Sequence, residues 1–131
     1  MIKMFKELLQ MTNEQSAPQR LMFLFANAES TNPKKSKKHQ RGTISPVMCV
    51  DKLPSELTTF SALVKEADSI AKQWNFVFIA SLSGENGVAP TTDEAEPFLN
   101  KMANDIETGN GIGRYVIFDR EENPIELEAN G

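Results

Sequence analysis

Two short segments limit what this chain can fold into. RLMFLFA at 20–26 and NFVFIASL at 75–82 are apolar at consecutive positions, and each is too short for a full helix. Such a run reads as a strand buried on both faces, so both sides of its sheet need a cover. Amphipathic segments able to provide it are present. Residues 2–11 set Ile2, Phe5, Leu8 and Leu9 on one helical face. Residues 55–74 carry a longer stripe, from Leu57 and Phe60 through Leu63 and Ala67 to Trp74. Pro54 and Ser55 supply its start, with Thr58 and Thr59 as rival caps. A third helix follows Thr91, whose partner three positions on, Glu94, fits a capping box. Pro97 removes an amide near the first full turn and favours a later start. Gly109 suits the left-handed end of that helix.

Further strands are expected at 44–51 (ISPVMCVD) and 114–120 (RYVIFDR), and a short edge strand, IELE, comes after the EENP turn. The order is then α-β-β-α-β-α-β-β. This describes an α/β protein, a single-domain mixed sheet of about five strands with helices packed on it. Each of the two long helices links two strands, which predicts at least partly parallel pairing. A split α+β layout, with helices on one face, is the alternative. The length of 131 residues suits one domain over 1–131, with a basic flexible loop at 27–43.

The net charge of -4 and the pI near 5.0 exclude a uniformly basic surface. The charge is unevenly distributed. Residues 1–84 hold 11 bases and 7 acids, whereas 85–131 hold 3 bases and 11 acids. Within the first part, Lys34, Lys35, Lys37, Lys38 and Arg41 form a run with no acid between Ser30 and Val50. These five are candidates for contact with nucleic-acid phosphates, a contact that salt would weaken. No aromatic residue is interleaved with them to stack on bases, and a solvated surface loop is the better explanation of the run.

The other candidate ligand site combines Ser83, Gly84 and Gly87 of the SLSGENG loop with Arg114. A glycine-rich loop after an apolar strand and before a helix is where open α/β sheets bind ligands. The loop has neither the P-loop nor the dinucleotide spacing, and an ordinary turn also accounts for it. Gly109, Gly111 and Gly113 run from helix into strand, which leaves Arg114 as the anion contact. Cys49, in VMCVD, reads as a small buried hydrophobe. Asp51 shares its face and would raise its pKa. His39 and Cys49 are the sole residues of their kinds and make no zinc set, so no metal or cofactor is expected. A single cysteine suits a reducing compartment. No apolar run reaches the roughly 18 residues of a membrane span, and the first 15 residues lack a signal-peptide pattern. A cytoplasmic protein without a membrane partner is expected.

The segments SPVMCVDKLPSEL, NFVFIASLSG, VAPTTDEAE and GIGRYVIFDR resemble a small bacterial family of uncharacterised proteins of about this length. Its members are often labelled ribonucleotide reductase subunit alpha. The resemblance runs from about Arg20 to Asp119 and implies a bacterial cytosolic setting. It carries no activity with it, because the catalytic subunit of that enzyme needs three thiols inside a far larger barrel, and this chain has Cys49 alone. With no catalytic constellation in view, the chain reads as a non-enzymatic binding or protein-interaction module. Small-molecule or nucleotide binding through the 83–87 loop and Arg114 is the alternative, and nucleic-acid contact through the lysines a second one. Homo-oligomerisation through a sheet edge is also open.

Overall fold

A computed structural model describes residues 3–30 and 42–126. The elements are α1 (Phe5–Asn13), β1 (Gln19–Ser30), β2 (Gly42–Lys52), α2 (Phe60–Ile70), β3 (Phe76–Ser83), α3 (Thr92–Thr108) and β4 (Val116–Asp119). The strands form one sheet in the order β2-β1-β3-β4. β1 is central, and its alternation divides the core. Leu21, Phe23 and Phe25 point to one face, where they meet Phe5 and Leu8 of α1 and Phe60, Leu63 and Ala67 of α2. Met22, Leu24 and Ala26 point to the other, against Ala95, Leu99, Met102 and Ile106 of α3. The two-sided apolarity of β1 and β3 thus corresponds to helices on both faces.

The expected parallel pairing is corrected: β1–β2, β1–β3 and β3–β4 are all antiparallel. β2 and β3 both flank β1, so α2 connects two strands of the same direction that are never neighbours. α3 lies across β1 and β2, and the chain then returns along 109–115 to lay β4 antiparallel beside β3. A helix between two strands therefore does not make those strands a parallel pair.

Among the described residues the sheet has four strands, and a fifth is not found. IELE forms no fifth strand over its described part: Pro124 makes an isolated bridge to Phe118, and the Ile125 amide donates to the Ile117 carbonyl at 2.9 Å. Residues 127–131 lie outside the described residues. The Asp119 carboxylate accepts bonds from the Glu121 and Asn123 amides, which makes the turn. Within the loop expected at 27–43, Asn27–Ser30 pair with residues 42–45 as strand, and residues 31–41 lie outside the described residues.

The second helix is also shorter than expected. A 3-10 turn at Pro54–Glu56 precedes it, and Thr59 is the true cap, its hydroxyl accepting from the Ala62 amide at 3.1 Å. It ends at Ile70, yet Trp74 is still buried, edge-on against Phe25. Arg120 lies 4.3 Å over the Trp74 ring and holds Asp68 at 2.6 Å, which fixes the end of α2 to the end of β4. The third helix starts at the Thr91 cap with the reciprocal Glu94 bond, and Pro97 sits inside it on the exposed face. Pro97 leaves only the Asp93 carbonyl without its amide, where solvent can replace it.

Cys49 is exposed, which corrects its reading as a buried hydrophobe. β2 is the edge of the sheet, and its apolar neighbours Val47, Met48 and Val50 are only half-buried. We expect Phe23→Ala, at a fully buried position beside Phe5, to cost ~3–5 kcal/mol in urea unfolding. Cys49→Ser should stay within about 0.5 kcal/mol of the parent.

Candidate functional site

β3 is eight residues long and β4 is four. Their pairing runs from Phe76 opposite Asp119 to Ile79 opposite Val116 and stops. Ala80–Ser83 continue to pair with β1 on the other side. The Gly84 amide donates to the Pro18 carbonyl at 2.8 Å. Counting back from it by the alternation of an antiparallel ladder, Leu82 and Ala80 direct their backbone groups at β1, and Ser83 and Ser81 direct theirs outward. Among the described residues no strand lies alongside that outward edge.

The late start of β4 has a local cause. Gly109 ends α3 in the left-handed region (φ 73°), Gly111 repeats that conformation (φ 66°), and a 3-10 turn over Ile112–Arg114 buries Ile112. Asp105 then holds Arg114 and Tyr115 in place. Its Oδ2 accepts from Arg114 Nη2 at 2.7 Å, the Tyr115 hydroxyl at 2.8 Å and Lys101 Nζ at 3.0 Å. The side chain of Asp105 is 3% exposed, near the helix C-terminus where a negative charge is disfavoured. The hydrogen bonds from Lys101, Tyr115 and Arg114 hold its carboxyl down to about 2. Tyr115 is drawn to Asp105 and does not extend β4 alongside Ala80.

A cleft of about 390 Å3 opens at this place. Leu8, Met11 and Thr12 of α1, with Gln15 just beyond its end, form one wall, Ile79, Ala80 and Ser81 of β3 form the floor, and Arg114, Tyr115 and Val116 close one end. Met11 is half-exposed on the wall. Arg114 is the one charged residue of the lining, and its side chain is 55% exposed.

The candidate residues from the sequence do not converge on one place. Arg114 reaches the cleft. Ser83 is bonded to Gln19, its Oγ accepting from Nε2 at 2.9 Å. Gly84 and Gly87 belong to a tight hairpin in which Glu85 and Val88 exchange backbone bonds of 3.1 and 3.0 Å, with Asn86 and Gly87 both at positive φ. That is a type I′ turn, the usual role of Asn-Gly. A Cβ on Gly84 would meet the Val88 carbonyl oxygen, so its glycine serves chain packing. Ser83, Gly84 and Gly87 are not among the lining residues of the Arg114 cleft. Lys34, Lys35, Lys37, Lys38 and Arg41 lie outside the described residues, as does His39. The α1 wall and the open β3 edge carry no sequence signal, since nothing local in RYVIFDR distinguishes four paired residues from seven.

Burial, and then the neighbouring Asp51, push the Cys49 thiol up. Asp51 itself is bonded to Arg20 and to the Thr92 hydroxyl. Among the described residues there is no cluster of three or more His, Cys, Asp or Glu suited to a metal, and no helix is long and apolar enough to cross a membrane. Comparison of the chain with known protein families, curated proteins and solved structures finds no match.

The depressed Asp105 pKa means that its ion cluster stabilises the fold above about pH 4 and loses that contribution as pH falls towards 2. We expect Asp105→Asn to cost ~1–3 kcal/mol at neutral pH. Its urea midpoint should also fall less steeply than the parent's on acidification. Cys49 should alkylate at pH 8 more slowly than in the urea-unfolded chain despite its exposure, and Asp51→Asn should speed it.

Proposed function

We propose that this chain is a non-enzymatic interaction module that takes an extended segment of a partner protein onto the free edge of β3. The observation that carries this reading is the length mismatch between β3 and β4, which leaves Ser81 and Ser83 with outward backbone groups, Ser81 of them in the cleft beside Leu8 and Met11. Strand addition draws affinity from main-chain bonds and specificity from pockets that accept alternate side chains. Here the bonds come from Ser81 and Ser83, and the pocket lies between Met11 and Tyr115. Its volume falls in the lower part of the roughly 300–1,000 Å3 range of binding clefts. The open stretch is only four residues long and is bounded by the 84–88 hairpin and Arg114, so it resists open-ended sheet growth. A bacterial cytosolic setting, as the family resemblance implies, belongs to the same proposal.

Selection of peptides from a random displayed library tests this reading with the full chain. Enriched peptides should share an extended alternating pattern. Ser81→Pro, which removes one outward amide, should weaken them by about tenfold or more. Met11→Glu should do the same from the exposed wall without loss of thermal stability. An unenriched library, or peptides that bind both variants as tightly as the parent, would overturn it.

A further inference from the structure

The chain direction of the sheet decides which end of a bound segment reaches Arg114. Every strand pair here is antiparallel, and β4 occupies the same flank of β3 as the open edge. A segment added antiparallel to β3 runs in the direction of β4, from beside Ser83 towards Ala80. It then meets the start of β4, because Val116 already stands opposite Ile79. Tyr115 and Arg114 close that end of the cleft. The segment's C-terminal end therefore abuts Arg114, and its backbone has no track to continue along.

Charge at that end favours an anion. Arg114 and Lys101 share a single carboxylate oxygen of Asp105, so the cluster keeps one net positive charge. Nη2 of Arg114 is committed to Asp105, and a guanidinium has five N–H donors in all. The rest of the lining is neutral. We propose that the cleft recognises the C-terminal tail of a partner protein, with its free α-carboxylate held by Arg114 and its last residues paired with Ser81 and Ser83. This rests on the strand-addition reading. Arg114 is the specificity residue, and the β3 edge provides the sequence-independent part of the binding.

The test uses one enriched peptide made twice, as the free acid and as the C-terminal amide, titrated against the full chain by fluorescence polarisation. The acid should bind about tenfold or more tightly than the amide, the effect of one charge-assisted pair. Arg114→Gln should weaken the acid far more than the amide, so that the preference for the free acid is lost, a pattern that general destabilisation would not produce. Equal binding of acid and amide to the parent chain would overturn the proposal; strand addition would still stand if Ser81→Pro weakened both. Failure of both forms to bind would overturn both readings. A concentration-dependent dimer in sedimentation that Ser81→Pro dissociates would put a second copy in the cleft and overturn the C-terminal tail. Should Arg114→Gln prove unstable, the comparison of acid with amide on the parent chain decides alone.

Discussion

β1 is the part of the molecule on which the rest depends. From Leu21 to Ala26 every side chain is at most 3% exposed, on both faces of the strand. A strand of that kind needs a hydrogen-bonded neighbour on each edge and an apolar layer on each side. β2 and β3 supply the first, and α1 with α2 on one face and α3 on the other supply the second. Phe5, Phe60 and Phe118 join in edge-on ring contacts, with centroids 5.6 to 5.8 Å apart, so the two helices, the sheet and β4 share one packed layer.

The placement of α3 results from that demand and sets up the cleft. α3 must cover β1 and β2, although its chain neighbours are β3 and β4. The segment that returns from it, 109–115, crosses back towards the far edge with two left-handed glycines and a buried Ile112. Asp105 anchors the end of that return through Arg114 and Tyr115. One buried carboxylate thereby helps to limit β4 to four residues, leave the second half of β3 open and orient a partly exposed guanidinium beside the opening. Arg114 faces two ways, since one of its nitrogens secures the fold and its exposed part faces the cleft.

The candidate site was only partly legible in the sequence. Arg114 stood out as a lone base after a glycine cluster, and it does line the cleft. The glycines grouped with it by sequence belong to a separate device, the Asn86-Gly87 hairpin, whose chemistry is wholly local. The α1 wall gave no signal of its own because Leu8 reads as an ordinary core residue and Met11 as a helical surface residue. The exposure of Cys49 was hidden for a related reason. An apolar run such as VMCVD looks the same in a central strand and at an edge, and only the strand order distinguishes them.

Features decided within a few residues were set by the sequence alone. The Thr91–Glu94 capping box, the Gly109 helix end, the two-sided apolar strands and the need for helices on both faces each come from local spacing and backbone preference. Tertiary structure alone decided the antiparallel pairing, the four-strand count, the path of α3 across β1 and β2 and the open half of β3. Each of these depends on which distant segments compete for the same apolar surface. Leu8, Ser81 and Arg114 meet around one cleft although long stretches of chain separate them, and no local pattern records that meeting.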